Sequence, residues 1–247
     1  MKMYLAESGG MWKAYFVKEY FKDAYILQSF YYADDFTEKY IIPNVADFLL
    51  DSGAFTFMQN TKEKTNWEEY INRYADFINR NNVDKFFELD IDSVVGYKKV
   101  LQYREMLEKL TGKKSIPVWH KSRGIQEYKK HCEEYPYVAI GGYVVKELKP
   151  KDYLAFPAMI SYAHRNNARV HCLGFTKLDA LKKYHFDSVD STAWTTGNRF
   201  GYIYKFTGDN IVKIDPPKGK KLRDPKAVAL NNYIQWIKFQ QYAETHL

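Results

Sequence analysis

A (β/α)8 barrel of the TIM type, an α/β fold, is the architecture this sequence predicts, on three observations. Eight short apolar segments rich in Val, Ile, Leu, Tyr and Phe recur along the chain, separated by stretches with helical spacing. A length of 247 residues suits one such barrel. Several segments break off on an acid or a glycine pair, which puts those groups at strand carboxyl ends, where parallel α/β folds gather their chemistry. An open doubly wound sheet is the competing architecture. The lack of GxGxxG after the first segment counts against it.

In chain order, strands are expected over residues 3–6, 24–31, 45–50, 83–91, 115–120, 137–142, 169–174 and 188–190. Between them, helices are expected over 11–21, 66–81, 97–110, 125–134, 151–166 and 178–184. The best supported are 66–81, with Tyr70, Ile71, Tyr74, Phe77 and Ile78 on one face, and 97–110, stopped by Gly112. Pro157 should limit or kink the helix it falls in. Residues 216–223 (PPKGKKLR) read as a basic, proline-led loop, and 226–243 as an aromatic closing helix. The expected organisation is a single domain over 1–247, with the barrel strands in 1–201 and the loop and helix in 202–247. There is no internal repeat and no linker.

Composition excludes more than it selects. With 37 basic against 30 acidic residues the net charge is +7, which favours a polyanionic partner without naming one. The aromatic share of 17% is packing for the most part, with some faces on which bases can stack. Two cysteines, Cys132 and Cys172, form no CxxC pair, so neither a four-cysteine zinc site nor a disulfide framework is expected. The first ten residues lack the apolar stretch of a signal peptide, and no run reaches the roughly 18 apolar residues of a spanning helix. A cytoplasmic protein without membrane contact is the expectation.

Three aspartates stand at strand ends: Asp51, Asp90 and Asp190. A carboxylate there can act as acid, base or nucleophile, or simply cap the following turn. Asp51 opens Asp51-Ser52-Gly53-Ala54-Phe55, and Asp190 lies in Phe186-Asp187-Ser188-Val189-Asp190-Ser191. Two acids on separate strand ends suggest covalent chemistry at a sugar carbon. Glu88 is the alternative functional acid near Asp90, and a glycosidase is the alternative chemistry.

These stretches resemble motifs of the tRNA-guanine transglycosylases. Asp51 to Phe55 is similar to their DSGG(Y/F), Leu89-Asp90-Ile91 to the LDI of archaeal members, and Val138 to Gly142 to their (L/I)GG segment. Cys172-Leu173-Gly174 through Asp190-Ser191 resembles LMGVG…MFDC. The four matches fall in the family's order over about residues 45–201. The resemblance implies that Asp190 is the nucleophile, that Asp51 is the general acid/base, and that Asp90 accepts from the N–H edge of the purine. It implies base contacts for Ser52, Phe55, His120, Gly141, Gly142 and Leu173, with His120 standing where the family has Gln. Arg199 would meet backbone phosphate. Each has a plainer alternative: Phe55 and Leu173 as core, the glycines as an ordinary turn, His120 as a satisfied strand-end histidine, Arg199 as a solvated charge.

Departures from the family redirect the substrate. Its zinc site of three cysteines and a histidine is missing, Ala54 replaces the second glycine, and Arg199 alone stands for the basic run after the nucleophile. A zinc-free chain fits better with the phage and bacterial relatives that place 7-deazaguanines such as preQ0 into DNA. Exchange of guanine in DNA is therefore the expected activity, with Lys218, Lys220, Lys221 and Arg223 holding the strand and no cofactor or metal. Exchange in tRNA and a non-catalytic nucleic-acid-binding relative are the alternatives, and the oligomeric state is open.

Overall fold

Seven parallel strands form one curled sheet, a half-barrel flanked by helices, in the order β3-β2-β1-β7-β6-β5-β4. They are β1 (Lys2–Glu7), β2 (Tyr25–Ser29), β3 (Asp47–Asp51), β4 (Val118–Trp119), β5 (Tyr137–Ile140), β6 (Arg169–Cys172) and β7 (Ser188–Ser191). The structure, a computed structural model, describes residues 1–7, 21–54, 56, 65–175, 178–219, 222 and 224–247. The helix expected at 11–21 lies, Phe21 apart, outside the described residues.

Alternation sorts the strand side chains between cores. Tyr4, Ala6, Tyr25, Leu27, Leu49, Val118, Tyr137 and Ala139 share the inner core with Phe87 and Ile116. Their neighbours Met3, Leu5, Ile26, Val138, Ile140, Val170 and Val189 pack outward. On β6 and β7 the inward positions are polar, His171 and Ser188, both buried.

Five of the long helices cover the outer face or close the chain as expected. Asn66 caps α1 (Trp67–Arg80), its side chain accepting from the Glu69 amide at 3.3 Å. Tyr70, Ile71, Tyr74, Phe77 and Ile78 are buried along one stripe of α1. Gly112, left-handed at φ +66°, ends α2 (Tyr97–Thr111). Next come α3 (Ile125–Glu134) and α4 (Phe156–Arg165). Pro157 sits in the first turn of α4, preceded by the 3-10 turn Asp152–Ala155, so it starts this helix instead of kinking a longer one. After β7, α5 (Ala193–Phe200) precedes a hairpin of β8 (Ile203–Phe206) and β9 (Ile211–Ile214). The closing helix α6 (Pro225–His246) starts at the Asp224 cap. It pins the hairpin through Asn232, which accepts from the Tyr204 amide at 2.7 Å, and Gln235, which accepts from the Phe206 amide at 2.9 Å. The hairpin was not expected from sequence. The expected helix 178–184 shrinks to the turn Leu178–Leu181.

The closed eight-stranded barrel expected from sequence is corrected at its fourth strand. Within 83–91 only Phe86 and Phe87 pair, through isolated parallel bridges to Leu50 and Ile116. Side chains take over where the ladder would continue. The Tyr74 hydroxyl lies 3.0 Å from the Phe87 carbonyl and 3.3 Å from that of Leu50. The Glu88 carboxylate accepts the Val118 amide at 2.8 Å. Glu88 is fully buried between Arg104 (2.6 Å) and Arg123 (2.9 Å). Burial alone would raise its carboxyl, but the two guanidinium groups outweigh it and hold it below the usual range. Replacing Glu88 by Gln takes the shared carboxylate from two buried cations, leaving Arg123 with Asp92 and Arg104 with no carboxylate among the described residues. It should cost about 3–5 kcal/mol, read from the urea midpoint. A loss under about 1 kcal/mol would mean the arginines do not depend on it.

Among the described residues no helix is long and apolar enough to cross a membrane.

Candidate active site

The alternation that fills the inner core also builds the site above it. Two residues beyond Leu27, Leu49, Val118, Ala139, His171 and Ser188 come Ser29, Asp51, His120, Gly141, Leu173 and Asp190. All six line one cavity of about 450 Å³ at the strand carboxyl ends, joined by Ala6 and Asp90. Gly142, Val144, Val145 and Gly174 from the following loops complete it, with Thr192, Ala193 and Thr196 around the start of α5.

Asp190 is buried and strongly held. Its Oδ1 accepts from the Gly174 amide at 2.7 Å and lies 3.1 Å from His171 Nε2. Oδ2 has no hydrogen bond among the described residues, so its lone pairs are free for a reacting atom.

The Asp51 carboxyl is pushed up to about 7. Burial is the largest cause, and the negative charges of Asp90 and Asp190 add to it. The Gly53 amide opposes, donating to Oδ2 at 3.0 Å. The turn that aims this amide needs glycine, since φ is +83° and a Cβ would stand 2.8 Å from Tyr31 Cβ. An acid balanced near neutrality can both give and take a proton.

His120 links two further acids. Nε2 is 3.1 Å from Asp90 Oδ2, and Nδ1 is 3.2 Å from Glu147 Oε2. Burial would lower the imidazole, but the bond to Asp90 and its charge outweigh burial and raise it. Both ring nitrogens can then donate, each to a carboxylate. Gly141 makes room for the ring, because a Cβ there would meet His120 Cε1 at 2.8 Å and Val118 Cγ1 at 2.9 Å. Gly141→Ala should therefore cost about 1–3 kcal/mol and displace His120 from Asp90. An unchanged urea midpoint would mean that the ring swings aside freely.

Of the residues expected from sequence, Asp51, Asp90, His120, Gly141, Gly142, Leu173 and Asp190 meet in this cavity. Ser52 does not line it: the residue is buried, with its carbonyl accepting from the Tyr70 hydroxyl at 2.7 Å. Arg199 is exposed in the last turn of α5, its guanidinium 5.6 Å from the Phe200 ring centre. Lys218 is exposed. Phe55, Lys220, Lys221 and Arg223 lie outside the described residues. Glu88, the alternative acid, serves Arg104 and Arg123 and does not line the cavity.

Sequence reasoning missed His171, Glu147 and Ser29. His171 and Ser29 carry a period-two signal, since each lies two residues from an inward side chain of its own segment, Leu173 and Leu27. Glu147 sits in an irregular loop and carries no local signal. Among the described residues no three of His, Cys, Asp and Glu are grouped to hold a metal ion.

No protein-family model matches the chain, and no curated protein matches it in sequence. The family resemblance therefore rests on the four short sequence motifs alone.

Proposed function

We propose that the protein is a base-exchange glycosyltransferase, a pentosyltransferase of the guanine transglycosylase kind. In this reading it replaces guanine in DNA with a 7-deazaguanine such as preQ0. The observation that carries the reading is the convergence of Asp51, Asp90 and Asp190, from three distant segments, on one cavity in which Asp51 is raised to about 7. About 450 Å³ lies in the range of small-ligand sites and admits a single base. The bridges of Phe86 to Leu50 and of Phe87 to Ile116 run between the β3 edge and the segment that leads into β4, which is compatible with a TIM-like α/β fold short of a closed barrel.

Asp190 Oδ2 attacks C1′ of the nucleotide as the C1′–N9 bond breaks. The departing electron pair goes to guanine and is neutralised by the proton of Asp51. The product is a covalent 2′-deoxyribosyl ester on Asp190. The incoming deazapurine gives its N9 proton to the Asp51 carboxylate, N9 bonds to C1′, and the ester oxygen leaves as carboxylate. Asp90 Oδ1 faces the N–H edge of the base, while His120 holds Oδ2. In a duplex the target must be flipped out of the stack to reach such a cavity. Arg199, Lys218 and, by their charge in the sequence, Lys220, Lys221 and Arg223 are the proposed phosphate contacts.

The test is exchange of labelled guanine into DNA and into total tRNA, run side by side. Incorporation into DNA supports the reading. Incorporation into tRNA alone would reassign the substrate. Tight binding without exchange on either would make the protein a non-catalytic nucleic-acid binder.

A further inference from the structure

Beneath the cavity runs a buried chain of polar side chains that the reaction above does not use. The Tyr137 hydroxyl is hydrogen-bonded to the Ser188 hydroxyl. Ser188 Oγ lies 2.6 Å from His171 Nδ1, and His171 Nε2 lies 3.1 Å from Asp190 Oδ1. Tyr137, Ser188 and His171 are 7%, 2% and 0% exposed. The imidazole is enclosed by the rings of Tyr4, Phe87 and Tyr137, at 6.1, 5.3 and 6.4 Å between centres.

One assignment of hydrogens satisfies every polar atom of the chain. Tyr137 donates to Ser188 Oγ, Ser188 donates to Nδ1, and Nε2–H donates to the carboxylate. The register holds it in place, because His171 pairs with Ser188 across β6 and β7, and Tyr4 with Asp190 across β1 and β7.

We propose that His171 is a positioning residue for Asp190, its Nε2–H and the Gly174 amide together claiming Oδ1 so that Oδ2 is the oxygen that bonds to C1′. The inference rests on the reading of Asp190 as nucleophile. In the ester Oδ1 becomes the carbonyl oxygen. When the ester breaks, negative charge returns to the carboxylate, and a donor aimed at Oδ1 stabilises it. Loss of His171 should slow both half-reactions through orientation and slow release of the ester through charge. Substrate affinity is untouched, because the ring lies below the cavity.

The experiment compares His171→Phe, which keeps a ring among the aromatic neighbours but removes both nitrogens, with His171→Gln, whose side-chain amide reaches the Nε2 position. In guanine exchange, His171→Phe should lose about 100-fold in kcat with KM within about threefold. His171→Gln should recover at least tenfold of that loss. Equal kcat in His171→Phe and the unaltered protein, or equal loss in both variants, would overturn the proposal. A second readout needs no activity: in histidine-labelled full-length protein, nitrogen NMR should find hydrogen on Nε2 of His171. Its Nε2–H signal should shift in Asp190→Ala. A hydrogen on Nδ1 alone, or a signal blind to Asp190→Ala, would overturn it even if no exchange is seen. Exchange absent from the unaltered protein, with the NMR coupling intact, would sink the functional reading and leave the positioning of Asp190 standing.

Discussion

Asp190→Asn is expected to abolish guanine exchange, by about 1,000-fold or more in kcat, and to leave the fold and nucleic-acid affinity nearly unchanged. The substitution is close to isosteric, and its side-chain oxygen can still accept from His171 Nε2 and the Gly174 amide, which both reach Oδ1. What changes is the other terminus, where an amide nitrogen with no available lone pair replaces Oδ2. Stability should shift by no more than about 1 kcal/mol. Intact-protein mass spectrometry after mixing with substrate and acid quenching should show a glycosyl adduct on the unaltered protein and none on the variant. Exchange at an undiminished rate in Asp190→Asn would remove Asp190 from the role of nucleophile. The variant also deletes one of the charges that raise Asp51, so the Asp51 carboxyl should fall below about 7.

Asp51→Asn is expected to do two opposite things: to cut exchange by about 100-fold or more and to stabilise the protein above neutral pH. The sign follows from proton binding. Unfolded, Asp51 titrates near 3.8; folded, near 7. Between these values the folded chain holds a proton that the unfolded chain has released, so this group makes stability fall as pH rises from about 4 to about 7. Above that window the cost is complete, and below it the cost is absent. Asn carries no charge at any pH. The variant should therefore gain up to roughly 4 kcal/mol at pH 8 and almost nothing at pH 4, read from urea midpoints at both. Glu88, held low by its arginines, contributes with the reverse sign in both proteins and cancels in the difference. An equal gain at pH 4 and pH 8 would show that the change comes from packing and not from the charge.

Local signals in the sequence were enough to determine where most elements lie and which acids end strands. Asn66 and Gly112 bracket two helices by chemistry that reaches only a few residues. The period of two puts Asp51 on the parity of Leu49, and Asp190 on that of Ser188, before any neighbour is known. Such signals end at the backbone's own reach. Only the tertiary structure decided that Asp51, Asp90 and Asp190 face one cavity, because the raised Asp51 carboxyl depends on charges brought from two other segments. It also decided that Glu88 is a structural ion-pair partner, since Arg104 and Arg123 come from a helix and a loop well downstream. The fourth strand failed for a related reason. Its apolar run fits a strand, but Tyr74 and Glu88 compete for backbone groups of the ladder, and that competition exists only once α1 and β4 are in place. His171 joined the site in the same way. Its alternation could be counted, but the oxygen of Asp190 that it holds is set by the pairing of β6 with β7.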